Sequence, residues 1–274
     1  MYIGVADMKV LLLNDDGIHC EGLHVLYRSI RDFCEVLVLT PEEPRSATGH
    51  GITLHKPLRI NKYVLNDMVI YGTNGTPSDA VHLAINVMGF NPDLIMSGVN
   101  VGDNTSIQNI LYSGTLSAAI EGALLGIPGV AFSADVSSCS DFNDERLSEI
   151  IKIVTRSVLQ FTKEVGFPKG VDVLSINIPS INKFKGCVKV TRAAKLRFKQ
   201  YVEKRIDPRG KPYYWLYGET LMGEEGTDIY TVHVEGCISI TPLRVDLNVQ
   251  GGISEGFYEF IKFLEKNVGK VRLY

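Results

Sequence analysis

Two adjacent carboxylates, Asp15 and Asp16, stand where an apolar run ends in a glycine turn. The run Lys9–Leu13 is typical of a buried parallel strand, and open α/β sheets bind ligands at the carboxyl ends of such strands. Two aspartates packed side by side repel each other unless a cation or a hydrogen-bond donor compensates them. The pair therefore predicts a metal site. The alternative is that both aspartates form an Asx turn and cap the following helix.

Two further loops carry oxygen ligands after predicted strands. Arg45–Gly49 supplies the Ser46 hydroxyl, and Ser97–Asn100 supplies the Asn100 amide oxygen. Loops that follow strands of the same sense can meet at one edge of a doubly wound sheet. A set made only of oxygen ligands suits Mg²⁺, Mn²⁺ or Ca²⁺ better than zinc. We therefore expect one divalent ion per subunit, with Mg²⁺ or Mn²⁺ preferred and Ca²⁺ as an alternative.

A phosphate group beside that ion would need hydrogen-bond donors. The helix predicted to open at Ser113, Gly114 and Thr115 offers backbone N–H groups, a positive dipole end and two hydroxyls. Asn104 adds a side-chain amide. Ordinary helix capping is the alternative role for Ser113 and Thr115.

The elements that must position these residues alternate between strands and helices, which predicts an α/β fold with a doubly wound, mostly parallel sheet. The predicted strands are Lys9–Asn14, Glu35–Thr40, Ile52–Leu54, Leu58–Val64, Met68–Tyr71, Asp93–Ser97, Gly129–Ser133 and Val173–Ile178. The predicted helices are Gly22–Phe33, one that Thr76 caps and that runs to about Val87, one that opens at Tyr112, and Asp144–Lys163.

The pattern changes after about Lys185, where regular crossover helices are no longer indicated. The strands predicted there are Val188–Val190, Tyr213–Tyr217, Ile229–His233 and Ile238–Pro242. The basic segment Arg197–Lys211 contains the turn Asp207-Pro208-Arg209-Gly210 and is predicted to project as a hairpin or arm. An amphipathic helix over Glu255–Asn267 closes the chain. We expect a catalytic core in residues 1–184 and a β-rich extension with an arm in residues 185–274.

Composition indicates an ordinary globular protein. The chain has 274 residues, 45% of them hydrophobic and 22% charged, with a net charge of -3, which favours neither long nucleic acids nor anionic membranes. Five cysteines, an odd number without a CxxC pair, predict reduced thiols rather than a disulfide framework. Residues 1–8 lack the pattern of a secretory leader, so we expect a cytoplasmic protein with no membrane partner.

Three features have two interpretations each, one with a role in binding substrate or nucleic acid and one that is only structural. His50 lies in the Ser46 loop, where it either reaches the phosphate or is an ordinary loop residue. The basic segment is either a nucleic-acid patch or, as the net negative charge favours, a solvated arm or subunit contact. Trp215, with Tyr213 and Tyr214, either stacks on a base or is buried in a sheet or interface.

Several of these motifs together resemble the SurE family of survival proteins, and the likeness extends in order over nearly the whole chain. The motifs that carry the resemblance are Asn14-Asp15-Asp16-Gly17, Arg45-Ser46, Gly72-Thr73, Gly75-Thr76-Pro77-Ser78-Asp79, Ser97-Gly98-Val99-Asn100-Val101-Gly102, Tyr112-Ser113-Gly114-Thr115, Glu121-Gly122, Gly126-Ile127-Pro128, Asn177-Ile178-Pro179, Thr227-Asp228 and Ser239-Ile240-Thr241-Pro242-Leu243.

The resemblance implies a Rossmann-like core with an exchanged C-terminal segment, assembled into homodimers or homotetramers through that segment. It implies metal-dependent hydrolysis of nucleoside 5'-monophosphates. The family's metal ligands correspond to the residues Asp15, Asp16, Ser46 and Asn100. Its phosphate-site residues correspond to Asn104, Ser113 and Thr115.

This chain departs from the family pattern at three places. Ala47 stands where the family usually has glycine, and the loop from Asn100 to Ser113 is one residue longer than in many members. The segment Asp246–Gln250 lacks a histidine that some members carry. The four predicted metal positions are intact.

The sequence thus predicts a divalent-metal-dependent phosphomonoesterase, with Asp15 or Asp16 accepting a proton from the attacking water and Asn104 and Ser113 in the catalytic set. Gly114, Thr115 and Ser46 are expected to bind the phosphate or the ion. A haloacid-dehalogenase-type phosphatase is disfavoured because it requires Asp-x-Asp, and Asp15 and Asp16 are adjacent. The alternatives are a metal-dependent nucleotide-binding regulatory module, a broad acid phosphatase, a 3'-nucleotidase and a polyphosphatase.

Overall fold

The computed structural model describes residues 8–249, 252 and 254–268. Residues 1–7, where no secretory leader is expected, lie outside the described residues. Gln250, the last residue of the segment Asp246–Gln250, also lies outside them. The strands are β1 Lys9–Leu13, β2 Glu35–Pro41, β3 Ile60–Leu65, β4 Met68–Thr73, β5 Leu94–Val101, β6 Gly129–Ala134, β7 Val173–Ile178, β8 Val188–Val190, β9 Phe198–Ile206, β10 Pro212–Thr220 and β11 Ile238–Leu243. The α-helices are α1 Glu21–Ile30, α2 Pro77–Asn86, α3 Ser106–Tyr112, α4 Gly114–Leu124, α5 Glu145–Glu164, α6 Asp228–Tyr230 and α7 Glu255–Val268, with a 3₁₀ helix at Cys139–Asn143 and a π-helical turn at Thr231–Glu235.

The main sheet has nine strands in the order β3-β4-β2-β1-β5-β6-β7-β11-β8. Six neighbouring strands run parallel to one another, in the order β4-β2-β1-β5-β6-β7. At the two ends of this set, β3 pairs antiparallel to β4 and β11 pairs antiparallel to β7. The carboxyl ends of β1, β2 and β5 are therefore adjacent at one edge of the sheet. This confirms the predicted mostly parallel α/β fold.

Apolar side chains alternate between the two faces of the central strand. Val10 and Leu12 pack against α1 and α5 on one face, and Leu11 and Leu13 pack against α2 and α4 on the other. All four are fully buried, and burial of each such side chain contributes about 2 kcal/mol to folding. Helices on both faces explain why β1 is apolar throughout, because neither side of it meets water.

The predicted start of α2 is confirmed by its hydrogen bonds. The Thr76 hydroxyl accepts from the N–H of Asp79 at 3.1 Å, and the Asp79 carboxylate accepts from the N–H of Thr76 at 2.8 Å. Pro77 occupies the first helical position, where its missing N–H costs no hydrogen bond. Such a cap typically stabilises a helix by about 1 kcal/mol.

The predicted arm is an antiparallel hairpin of β9 and β10, which form a separate two-stranded sheet. Its turn follows Asp207, whose carboxylate accepts from the N–H groups of Arg209 and Lys211 at 2.9 and 2.8 Å. Every residue of β10 is exposed. The hairpin therefore projects from the core with both faces uncovered.

Two predicted strands are wrong, and one helix was not predicted. Ile52–Leu54 has no regular structure, and Ile229–His233 lies in α6 and the π-helical turn. The β-branched residues there suggested a strand, but the Thr227 hydroxyl accepts from the N–H of Tyr230 and starts a helix instead. The helix α3 escaped prediction because it is only seven residues long.

The prediction of reduced cysteines is also wrong for four of the five. Cys20 is bonded to Cys139, and Cys187 to Cys237, with Cα–Cα distances of 5.1 and 4.8 Å. The partners are 119 and 50 residues apart in sequence, so spacing along the chain carried no sign of the pairing. Cys34 is outside these two disulfides, and its thiol donates to the carbonyl of Ile30 at 3.3 Å.

Within the described residues, no helix combines the length and the apolar character that crossing a bilayer demands.

Candidate metal and phosphate site

The two predicted carboxylates lie at the end of β1, above the start of α4. Asp15 is only 4% exposed, and its carboxylate accepts a hydrogen bond from the Thr115 hydroxyl. Asp16 accepts from the N–H of Val101 at 3.0 Å, which ties it to the end of β5. Gly17 follows with φ +88°, a left-handed conformation that favours glycine, and turns the chain towards α1.

Gly114 makes room for Asp15 at the first turn of α4. A Cβ atom at this position would lie 2.7 Å from both the Cβ and Oδ2 atoms of Asp15, so a larger residue would displace the carboxylate. The N–H of Gly114 also bonds to Asp15. The positive end of α4 thus faces a carboxylate, and the role of Gly114 and Thr115 in phosphate binding stays a prediction.

The Asn100 amide is oriented by the backbone around it. Its Nδ2 donates to the carbonyl oxygens of Val101 and Gly102 at 3.0 and 2.8 Å. Its Oδ1 therefore points the other way and lies 3.2 Å from the Thr115 hydroxyl, which also bonds to Asp15. The Asn100 amide oxygen and the Asp15 carboxylate therefore both contact the Thr115 hydroxyl. They lie near one point, as two ligands of the same ion must.

The Ser46 loop closes over this cluster through its backbone. The N–H of Arg45 donates to the carbonyl of Asp15 at 2.7 Å, and the N–H of Gly49 donates to the carbonyl of Tyr112 at 2.9 Å. Ser46 and Ala47 line the same cavity as Asp15 and Asn100. Ala47 has φ +56°, a left-handed conformation that favours glycine.

Asn104 and Ser113 line the cavity as well, and both also have structural bonds. Asn104 Nδ2 donates to the Ser133 hydroxyl at 2.9 Å. The Ser113 hydroxyl accepts from the N–H of Leu116 at 3.1 Å, so the capping alternative describes one of its contacts. Catalytic roles for both residues stay predictions.

The cavity has a volume of about 440 Å³ and is lined by two chemically different sets of residues. One set consists of oxygen-bearing side chains, including Asp15, Ser46 and Asn100. The other set belongs to the β9–β10 hairpin and includes Phe198 and Leu216. A molecule with a charged end and an apolar end fits this arrangement.

His50 pairs with Glu121 and is not among the residues that line the cavity. Its Nε2 lies 2.5 Å from Glu121 Oε2, and His82 Nε2 lies 2.9 Å from Glu121 Oε1. Glu121 is 8% exposed and belongs to α4. The structure therefore places His50 as a contact between the Ser46 loop and α4, in agreement with the plainer of its two interpretations.

A charged cluster beside the cavity was missed by the sequence reasoning. Arg197 donates to both carboxylate oxygens of Asp103, at 3.3 and 3.2 Å, and His233 Nε2 lies 3.0 Å from Asp103 Oδ2. Burial raises the pKa of Asp103, but the hydrogen bond with His233 and the charge of Arg197 outweigh it and hold the pKa well below its ordinary range. The partners come from distant segments, so only the folded chain brings them together.

This cluster is a poor metal site despite its ligand types. Asp103, Asp135 and His233 place three ligand atoms within 4.8 Å of one another. Arg197 Nη2, however, lies 3.0 Å from His233 Nε2 and already neutralises Asp103. A divalent ion there would sit beside a permanent positive charge, which opposes its binding.

The Asp15–Asp16 pair is different, because no cationic side chain is among the main causes of its pKa shifts in the described residues. Burial raises the pKa of Asp15 to about 7, the charge of Asp16 adds to the rise, and the hydrogen bonds from Thr115 and Gly114 oppose it. Burial also raises the pKa of Asp16. Two neighbouring carboxylates with raised pKa values beside an oriented amide oxygen fit a hard divalent cation.

The raised pKa of Asp15 predicts the pH dependence of stability in the metal-free protein. Between about pH 4, the ordinary pKa of an aspartate, and about pH 7, the folded state keeps a proton that the unfolded state has released. The free energy of unfolding should therefore fall as the pH rises through this range, and then level off. Urea denaturation in chelator at pH 5 and pH 8 measures the difference.

Asp15→Asn is the control for that measurement, since it removes this titrating group and should make the profile less steep, while Asp16 and Asp228, whose pKa values are also raised, keep their contributions. A wild-type protein that is equally stable at both pH values, or more stable at pH 8, would contradict the expected ionisation of Asp15.

Fold and site together describe an α/β protein with an acidic cavity, lined by oxygen-bearing side chains, at the carboxyl edge of a parallel sheet. The family model of the survival protein SurE matches residues 10–200. The chain is 49% identical over 256 residues to the 5'-nucleotidase SurE of Hyperthermus butylicus, covering 93% of this chain and 91% of the relative. It is 51% identical over 243 residues to the 5'-nucleotidase SurE of Pyrobaculum arsenaticum, covering 88% and 91%.

A solved structure agrees with these matches. The SurE protein from Aquifex aeolicus superposes with a TM-score of 0.75 at 36% sequence identity, over 94% of this chain and 99% of that one. The chain belongs to the SurE family.

Proposed function

We propose that this protein is a divalent-metal-dependent phosphomonoesterase that hydrolyses nucleoside 5'-monophosphates to nucleoside and phosphate. The observation that carries the proposal is the buried carboxylate of Asp15 with its half-buried neighbour Asp16, next to the oriented amide oxygen of Asn100; Asp15 and Asn100 line one cavity. The relatives named 5'-nucleotidase SurE support the substrate class.

The chain's own residues account for binding and orientation. Asp15, Asp16, Ser46 and Asn100 would hold the ion, which when bound supplies Lewis-acid stabilisation of charge on the phosphoryl oxygens. The Ser113 hydroxyl and the N-terminal end of α4, which lies next to Asp15, would orient the phosphate. Asp15 or Asp16 would accept the proton of the attacking water. The oxygen ligands favour Mg²⁺ or Mn²⁺, with Ca²⁺ as an alternative.

A mononucleotide panel tests the substrate class. With Mg²⁺ or Mn²⁺, we expect release of inorganic phosphate from nucleoside 5'-monophosphates and none from internal positions of single-stranded RNA. The cavity holds one small molecule, and a chain with a net charge of -3 lacks the field that long polyanions favour. Chromatography of the products distinguishes the two substrates.

Other outcomes of the panel identify the alternatives. Faster turnover of 3'-monophosphates indicates a 3'-nucleotidase, chain shortening of polyphosphate indicates a polyphosphatase, and similar rates on unrelated esters indicate a broad acid phosphatase. Nucleotide binding without turnover of any ester would show a regulatory module and would refute the enzymatic proposal.

We also propose that residues 1–184 form the catalytic core and that residues 185–274 assemble the protein into a homodimer or homotetramer. Support comes from apolar surface in this part of the chain. Trp215 is 57% and Leu216 80% exposed in the hairpin, and Phe260 and Phe263 of α7 are 51% and 65% exposed. Exposed aromatic residues in such numbers mark an association surface. The location we propose is cytoplasmic, which two disulfides do not exclude because intracellular hyperthermophile proteins often carry them.

Deleting the arm should reduce the assembly. We expect light scattering of the intact protein to give at least the mass of a dimer, and a variant lacking residues 197–217 to give a smaller species. A monomeric intact protein would refute the proposed assembly, and an unchanged oligomer after deletion would place the interface outside the arm.

A further inference from the structure

Part of the wall of the cavity that contains the predicted metal ligands is formed by an element that packs little against the core. Both strands of the hairpin are exposed along most of their length, and every residue of β10 is exposed. Yet Phe198, at the base of the hairpin, and Leu216 and Tyr217, in the middle of β10, line the same cavity as Asp15 and Asn100. The position of this wall therefore depends on contacts where the hairpin leaves the core.

Arg197 makes most of those contacts. It immediately precedes β9, and its side chain is 7% exposed. Its backbone carbonyl accepts from the N–H of Leu221, and its Nη1 donates to the carbonyl of Leu221 at 3.1 Å, which joins the two ends of the hairpin. Gln108 of α3 accepts from the N–H groups of Arg197 and Phe198, at 3.0 Å each.

The guanidinium then connects the hairpin to the loop that carries the predicted ligands. It donates to both oxygens of Asp103, which lies between Asn100 and Asn104 and lines the cavity. His233 Nε2 lies 3.0 Å from Oδ2 of the same carboxylate and 3.0 Å from Arg197 Nη2. Bidentate bonding to a planar guanidinium fixes orientation as well as distance. We call Asp103, Arg197 and His233 the clasp.

We propose that the clasp positions the hairpin wall as the nucleoside-binding side of the cavity, so that Arg197 and His233 are positioning residues for substrate recognition. This inference rests on the proposed function. The phosphate of a mononucleotide belongs at the carboxylate end, which leaves its base and sugar towards Phe198, Leu216 and Tyr217. The ring of Tyr217 is stacked on Tyr201 with 5.4 Å between centroids, which gives the wall a preset aromatic surface.

The test compares Arg197→Gln with Arg192→Gln in the full-length protein. Arg192 is a matched control, because it also pairs with a carboxylate, Glu224 at 3.0 Å, but both side chains are largely exposed. The substrates are a nucleoside 5'-monophosphate and glycerol 3-phosphate, which has no base to lie against the wall.

Arg197→Gln should raise KM for the nucleotide by about tenfold and leave KM for glycerol 3-phosphate within about twofold of wild type. Arg192→Gln should change neither KM. His233→Gln should raise KM in the same direction as Arg197→Gln, since it removes the second support of Asp103. A folded Arg197→Gln protein that raises both KM values equally, or neither, overturns the proposal.

Leu216→Ala keeps the proposal testable if the clasp variants fail to fold. Leu216 is 80% exposed, so its truncation should leave the fold intact while it removes part of the wall. We expect a higher KM for the nucleotide alone, and an unchanged KM overturns the proposal. A wild-type protein that hydrolyses neither ester would refute the proposed function instead, so the two failures are distinguishable.

Discussion

Asp15→Asn is expected to lower the rate of phosphate release by about a thousandfold while the protein stays folded. The substitution removes a negative ligand from a position that the fold buries and orients, and the asparagine oxygen can still accept the hydrogen bond from Thr115. The loss of one of two neighbouring charges should also make the metal-free protein more stable. Asp16→Asn should lower the rate to a similar degree. Steady-state kinetics and thermal denaturation of the same samples measure both effects.

Asp32→Asn is the matched control for these variants. Asp32 is an exposed carboxylate after α1, and its contact with Arg31 is 3.8 Å long, so its loss should leave turnover unchanged. Near-wild-type turnover in both Asp15→Asn and Asp16→Asn would show that the carboxylates only form a turn and cap, and would refute the proposed metal site.

Removal of divalent ions should abolish phosphate release, and Mg²⁺ or Mn²⁺ should restore it. Asp15 and Asp16 have raised pKa values, and no cationic side chain is among the main causes of these shifts in the described part of the chain, so an external cation is needed for both to be ionised at one site. Assays before and after exhaustive chelation, followed by titration with each ion, measure the dependence. The ion should also raise the midpoint of thermal unfolding, because it binds the folded state alone.

A zinc titration and the clasp variants serve as controls for specificity. Zinc should restore less activity than Mg²⁺ or Mn²⁺, since the proposed ligands are all oxygens. Full activity of the metal-stripped protein would refute metal dependence. If Arg197→Gln were no longer activated by Mg²⁺ or Mn²⁺ while Asp15→Asn still were, the metal site would lie at the Asp103 cluster instead.

The sequence was sufficient to predict the sheet and the end of it at which Asp15 and Asn100 meet. Buried parallel strands are continuous apolar runs, so β1, β6 and β7 could be located to within a residue. Once the strands run in the same direction, their carboxyl ends must lie at the same edge of the sheet. The loop residues that come after these strands must therefore lie close together at that edge. Helix capping by Thr76 was predictable for a similar reason, because the signal is confined to four consecutive residues.

Contacts between distant segments could not be predicted in this way. His233 meets Asp103 across 130 positions, and Cys20 meets Cys139 across 119, without any local pattern that marks them. The segment that contains His233 was even assigned to a strand, because Ile229, Thr231 and Val232 are β-branched. Its helical turn depends on Asp228, which accepts from the N–H groups of Ser106 and Ala194 and so is fixed by the fold around it.

Because Cys187 is bonded to Cys237, cleavage of the backbone in the projecting hairpin would not separate the two parts of the chain. The turn at Asp207–Gly210 is the most accessible kind of site for a protease, and it lies between these two cysteines. A cut there would leave two polypeptides that remain one covalent molecule through the disulfide. Such a nicked protein would migrate as a single band on a non-reducing gel and as two fragments after reduction.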